Sequence, residues 1–155
     1  MGGHPDDYMR MALRLAGQGS AAGEVPVGAV LVTPEGEARF TGRNQSETIS
    51  PLRHAEMQVL EAALLERGRH GLGGCTLYVT LEPCIMCLGA MVQARIGGLV
   101  YACPEPRFGG VAVLQALWKE GRYPHRFPIV AGLNEKESRD LLQDFFQRRR
   151  REMEP

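Results

Sequence analysis

Thr76-Leu77-Tyr78-Val79-Thr80-Leu81-Glu82-Pro83-Cys84-Ile85-Met86-Cys87 joins a strand-like run to the start of a helix, and the reading of the chain turns on it. The first six residues are apolar, aromatic or β-branched, as a buried strand requires. Pro83 suits the first turn of a helix, where its missing N–H is no loss. Cys84 and Cys87 stand one helical turn apart, so both sulfurs project from the same face and can grip one metal ion. Near a helix N-terminus the dipole favours thiolate, the form that binds metal.

Upstream, His54-Ala55-Glu56 opens a second predicted helix, in which Ala55, Met57, Val59, Leu60, Ala63 and Leu64 give the apolar positions. Side chains tilt toward a helix N-terminus, so His54 and Glu56 can both reach a point in front of the first turn. His54, Cys84 and Cys87 then make three zinc ligands with a fourth position left for water. One neutral imidazole and two thiolates cancel the charge of the dication, which weakens it as a Lewis acid. A nearby base therefore matters, and Glu56 is the candidate general acid and base.

This H-x-E…P-C-x-x-C arrangement is the signature of zinc nucleobase deaminases. Beyond the signature, Glu24-Val25-Pro26-Val27-Gly28-Ala29-Val30, Asn44, Gly74 to Cys84, Ala94-Arg95-Ile96, His125-Arg126 and Phe145-Phe146 with the arginines after them resemble the bacterial tRNA-specific adenosine deaminases, in order through nearly the whole chain. The resemblance implies an α/β, three-layer α/β/α cytidine-deaminase-like fold with a five-stranded mixed sheet of order 2-1-3-4-5. It implies one zinc ion per chain, a tRNA anticodon stem-loop as partner, and a homodimer. It also implies hydrolytic conversion of adenosine to inosine at the wobble position: activated water attacks C6 of a flipped adenine, while Glu56 protonates N1 and then the departing amino group.

Among substrate contacts, the resemblance points to Asn44, the backbone of Ala55, Val27, the Glu105-Pro106-Arg107-Phe108 loop, Phe146, and the arginine run containing Arg149 and Arg150. Each has a plainer reading from the residues alone. Asn44 could be a turn asparagine bonding its own backbone, Val27 a core residue, and Arg148 to Arg151 a solvated helix end facing the negative C-terminal dipole. One of Phe145 and Phe146 belongs in the core. The chain departs from the family pattern at Phe108, which is bulky and either stacks on a base or narrows the pocket for a free base. It departs also at Pro51-Leu52-Arg53-His54, where Arg53 is either a phosphate contact or a solvated residue. Two rival functions follow: the same deamination on a free base or nucleoside such as guanine or cytosine, or a non-enzymatic zinc-stabilised nucleic-acid module. The latter would close its fourth zinc position and have no use for Glu56.

With 155 residues the chain is expected to form one domain, 1–155, and its zero net charge, from 18 basic and 18 acidic residues, excludes an all-round electropositive surface. The expectation is a cytoplasmic protein, without a membrane span or signal peptide. Cys75 and Cys103 read as buried free thiols. The pattern predicts a helix over Asp6 to Gln18, stopped by Gly17 and Gly19, then strands at Val27–Val32 and Ala38–Arg43. Later elements are a helix from the Cys84 turn to about Arg95, a strand at Gly98–Ala102, a helix over Gly109–Trp118, a strand at Phe127–Val130, and a last helix begun by an Asn134–Glu137 capping box. Met1–Pro5 and Glu152–Pro155 are expected to be loose ends.

Overall fold

A computed structural model describes residues 3–155; Met1 and Gly2, part of the expected loose N-terminus, lie outside the described residues. The elements run α1 (Pro5–Ala21), β1 (Gly28–Val32), β2 (Ala38–Arg43), α2 (Ala55–Arg67), β3 (Thr76–Leu81), α3 (Ile85–Ala94), β4 (Gly98–Cys103), α4 (Val111–Lys119), β5 (Ile129–Ala131) and α5 (Glu135–Met153). The strands form one mixed sheet of order β2-β1-β3-β4-β5, as expected. β1 is antiparallel to both β2 and β3, whereas β3, β4 and β5 are parallel.

The two-residue period of the central strands sorts their side chains onto two faces. Ala29, Leu31, Leu77, Val79, Leu99 and Tyr101 join the core cluster that includes Val59, Leu60 and Ala63 of α2, Leu88 and Met91 of α3, and Leu114 and Trp118 of α4. Val30, Val32, Tyr78, Val100 and Ala102 face the other way, onto Tyr8, Met9 and Ala12 of α1. α5 packs beside α1 on that second face and buries Phe145. With both faces covered, β1 and β4 are buried along their whole length, which accounts for their uninterrupted apolar character.

α1 lies very close to β1. A Cβ on Gly28 would stand 2.0 Å from the Ala12 carbonyl oxygen, so only glycine permits this approach.

Several expected boundaries move. α1 runs through Gly17 and Gly19 to Ala21, because neither takes left-handed backbone; that falls to Gly23 at φ 84°, while the carbonyl of buried Gly19 accepts from the Ala22 and Glu24 N–H groups at the helix end. Pro5 is helical, and α5 continues to Met153, so neither expected loose end is as long as composition suggests. β5 starts at Ile129, while Phe127 packs edge-on against Trp118 instead of extending the sheet. The Asn134 capping box does not form: Asn134 adopts left-handed backbone at φ 57° in place of the extended backbone of an N-cap, and no side-chain cap hydrogen bond is made.

Candidate active site

Register brings the site together. Because β1 runs antiparallel to β3 with Ala29 opposite Val79, the residues entering β1 meet those leaving β3. The Gly28 N–H donates to Thr80 Oγ1 at 3.1 Å across this junction. β2 ends beside Gly28 at Arg43, and the next amide, Asn44 N–H, donates to the Val27 carbonyl. Chain segments leading into α2 and α3 therefore emerge at the same edge of the sheet, and both helices point their N-termini at it.

His54 is the N-cap residue of α2 and Cys84 that of α3. Cys84 thus immediately precedes the helix, not within its first turn as the spacing predicts, while Cys87 lies inside that turn. The Cys84 and Cys87 sulfurs are 3.8 Å apart, and His54 Nδ1 is 3.6 Å from the first and 3.5 Å from the second. Tetrahedral zinc with bonds of about 2.3 Å to sulfur and about 2.05 Å to nitrogen requires edges of about 3.8 Å and about 3.6 Å. The donor set and its spacing both fit zinc, and these three atoms are the group among the described residues able to hold a metal.

The electrostatics favour thiolate at Cys84. Cys84 is pulled down to about 4, first by the hydrogen bond from Cys87 and then, against burial, by His54. Cys87 is pushed up by its bond to Cys84, by burial and by the charge of Glu56. His54 is raised, chiefly through its hydrogen bond to Cys84. Glu56, 3% exposed, is raised by burial, partly offset by a backbone hydrogen bond and by His54. A carboxyl pushed up in this way is a stronger proton acceptor than an exposed one, which suits acid and base work.

His54, Cys84 and Glu56 open onto a cavity of about 560 Å³, a size suited to a small-molecule or nucleotide group. Val27, Asn44, Ala55, Glu105, Arg107, Phe108 and Phe146 all line it, so nearly every residue singled out from the sequence converges here. Phe108 is 69% exposed at the rim, with the Arg107 guanidinium 5.7 Å from its ring centroid. Asn44 combines two readings: it faces the cavity, yet its Oδ1 accepts from the Ser46 N–H and its Nδ2 donates to the Val25 carbonyl.

Arg149 and Arg150 do not line the cavity. Arg149 instead pairs with Glu47 at 3.2 Å and lies over the Phe145 ring. Phe145 is buried and Phe146 is the one left at the cavity. Arg53 is exposed and donates to Gln45, and His125, outside the lining, bonds the Ile96 carbonyl.

Sequence reasoning missed Val25, Ser46, Pro51, Leu81, Glu82 and Met86 as lining residues. Alternation from Val27 reaches Val25, and the opposing strand end reaches Leu81. Glu82 falls within the run that carries the family resemblance, but its role has no signal of its own, because its partners are the backbone N–H groups of Glu105 and Val111. That carboxylate holds the Phe108 loop against the cysteine turn, where Gly109 forms a bridge to Cys84. A Cβ on Gly109 would lie 2.4 Å from the Glu82 carboxyl, so the loop fits only with glycine there.

Residues 4–103 match the family model described as the cytidine and deoxycytidylate deaminase zinc-binding region. The chain is 40% identical to the tRNA-specific adenosine deaminase of Bacillus subtilis strain 168, over 93% of this chain and 89% of that protein. It is 41% identical over 92% of its length to the tRNA(Ile)-lysidine synthase of Deinococcus deserti, but spans only 27% of that longer protein. A solved structure from work on A-to-I editing by tRNA:A34 deaminases at the wobble position of transfer RNA superposes with a TM-score of 0.80 and 36% identity, covering 88% of this chain and 99% of that one.

Proposed function

Since the chain belongs to the cytidine and deoxycytidylate deaminase zinc-binding family, we propose that it is a zinc-dependent hydrolase that converts adenosine to inosine at the wobble position of a tRNA anticodon loop. The observation that carries the reading is the buried acid Glu56, set beside three donor atoms at the tetrahedral edge lengths of zinc and facing a nucleotide-sized cavity. A structural zinc module would have no need of that acid or that opening. The likeness to a tRNA-specific adenosine deaminase over 93% of the chain supports the choice of substrate.

Zinc held by His54, Cys84 and Cys87 would supply the Lewis acidity that makes water nucleophilic near neutral pH. Glu56 takes a proton from the attacking water and delivers it to N1 as oxygen bonds to C6. It then carries the second proton to the amino group, the C6–N bond breaks, and ammonia leaves. Val25, Val27, Leu81 and Met86 give the flipped base apolar walls and exclude water. Asn44 and the Ala55 backbone orient it, using whatever hydrogen-bonding capacity their local partners leave. Glu105, Arg107, Phe108 and Phe146 meet the neighbouring nucleotides, with aromatic stacking worth about 1–3 kcal/mol per base. Arg150, and Arg149 once drawn from Glu47, reach phosphate.

The homodimer reading is supported by a second cavity of about 580 Å³ between α2 and α3, where Met57, Leu60, Leu64, Leu65, Ala90 and Ala94 are joined by Glu61, Arg69 and Gln93. Leu65 there is 84% exposed, an apolar surface that a second copy would cover. No described helix is long and apolar enough to cross a membrane; the cytoplasmic reading rests on the proposed tRNA substrate.

The test is ammonia release by zinc-loaded protein on an adenosine-bearing anticodon stem-loop, compared with free bases and nucleosides. The reading expects turnover on the stem-loop alone, and a Glu56→Gln variant that retains zinc while losing at least about a thousandfold in rate. Turnover confined to a free base would overturn the tRNA assignment and leave the chemistry standing.

A further inference from the structure

Glu24 lies in the connection between α1 and β1, is 2% exposed, and takes no part in the chemistry above. Its carboxylate reaches across to the segment between β2 and α2. Oε1 accepts from the Glu47 N–H at 2.8 Å, and Oε2 from both the Thr48 N–H at 3.0 Å and the Thr48 hydroxyl at 2.5 Å. Three donors on two adjacent residues of one loop thus converge on one buried acid. The same loop begins with Asn44 and supplies Ser46 and Pro51 to the cavity wall before ending at His54. From outside, Arg149 of α5 holds the Glu47 side chain at 3.2 Å.

We propose that Glu24 is a positioning residue for substrate: it fixes residues 44–53 as a rigid wall of the cavity. Without it, two backbone amides at the middle of a surface loop would face a buried gap, and charge-assisted bonds of this kind are among the strong ones. Burial alone would push the carboxyl up, but the Thr48 hydroxyl, the Glu47 and Thr48 amides and the charge of Arg43 outweigh it and hold it below the ordinary range. The buried group is therefore an acceptor at neutral pH, as the geometry requires. Its effect on turnover rests on the deaminase reading; its effect on the loop does not.

The experiment pairs two readouts on zinc-loaded Glu24→Gln and Thr48→Val. Glutamine keeps the volume but turns an NH₂ toward one of its donors, while valine removes only the hydroxyl bond. Hydrogen exchange at the Glu47 and Thr48 amides should quicken by about tenfold or more in Glu24→Gln. KM for the stem-loop should rise by about tenfold, with kcat within about threefold and zinc content unchanged. Thr48→Val should shift both in the same direction by a smaller factor, and it serves alone if Glu24→Gln fails to fold. Unchanged exchange at these amides, or faster exchange with KM unaltered, overturns the proposal. If wild-type protein does not act on the stem-loop, the functional reading fails instead, and exchange still decides whether Glu24 holds the loop.

Discussion

Replacing Gly28 with alanine tests how closely α1 is seated on β1. The added Cβ would meet the Ala12 carbonyl oxygen at 2.0 Å, and Ala12 C and Ala16 N at 2.9 Å. All three are backbone atoms of α1, so no side-chain rotation relieves the clash. The helix must retreat by about 1 Å or more before the contacts become ordinary. That movement would loosen Met9, Ala12 and Ala16, each fully buried. Overpacking of a tight core costs about 1–3 kcal/mol, and an immovable partner places Gly28→Ala at about 3 kcal/mol. For a chain of this size that lowers Tm by about 6–12 °C in scanning calorimetry. Gly17→Ala supplies the control: the site lies in the same helix with nothing within 4 Å of the new Cβ. It should stabilise by about 0.5–1 kcal/mol through helix propensity. A Gly28→Ala protein melting within about 2 °C of wild type would refute the claim that α1 is seated on backbone at that point.

Cys87→Ala should abolish zinc retention measured by atomic absorption and lower Tm, since it empties a fully buried position beside Glu56. Charge reversal at Arg149 and Arg150 should weaken stem-loop binding and flatten its salt dependence; unchanged affinity would leave Arg149 as a partner of Glu47 alone. The pH dependence of Glu24 has a definite sign. Its carboxyl is held below the ordinary value of 4.5, so its stabilisation is present above that value and is lost as pH falls through the folded-state value. The Tm difference between wild type and Glu24→Gln should therefore shrink on acidification below pH 4.5.

What the sequence made legible was whatever repeats or sits at fixed spacing. Leu77 and Val79 alternate with Tyr78 because a strand has two faces, and the same rule assigns Val30 against Ala29 and Leu31. Cys84 and Cys87 could be paired because a helical turn fixes their separation, and His54 with Glu56 because both precede or open one helix. Features made by backbone partners distant in the chain were not legible. Glu24 reads as one acid among many until Glu47 and Thr48 fold over it, and Glu82 until the Phe108 loop closes on it. Asn134 carries the letters of a capping box, yet after β5 it takes left-handed backbone and the box never closes. Arg149 belongs to a run that looks solvated, and only the packing of α5 beside α1 brings it to Glu47.

The antiparallel pairing of β1 with β3 separates two kinds of inheritance in this molecule. The groups that would carry out chemistry sit at the ends of regular elements, so their mutual positions are set by hydrogen-bond register, and a one-residue insertion in β1 would turn every side chain of that strand over. Part of the cavity wall that would choose a substrate, Asn44, Ser46 and Pro51 on one side and Glu105, Arg107 and Phe108 on the other, hangs on two loops, each fastened to the frame by one carboxylate, Glu24 or Glu82. Such loops can change length or residue type between their anchors without moving the donor atoms of the metal centre. An engineer seeking a new substrate should rewrite the segments between anchors and leave the strands alone.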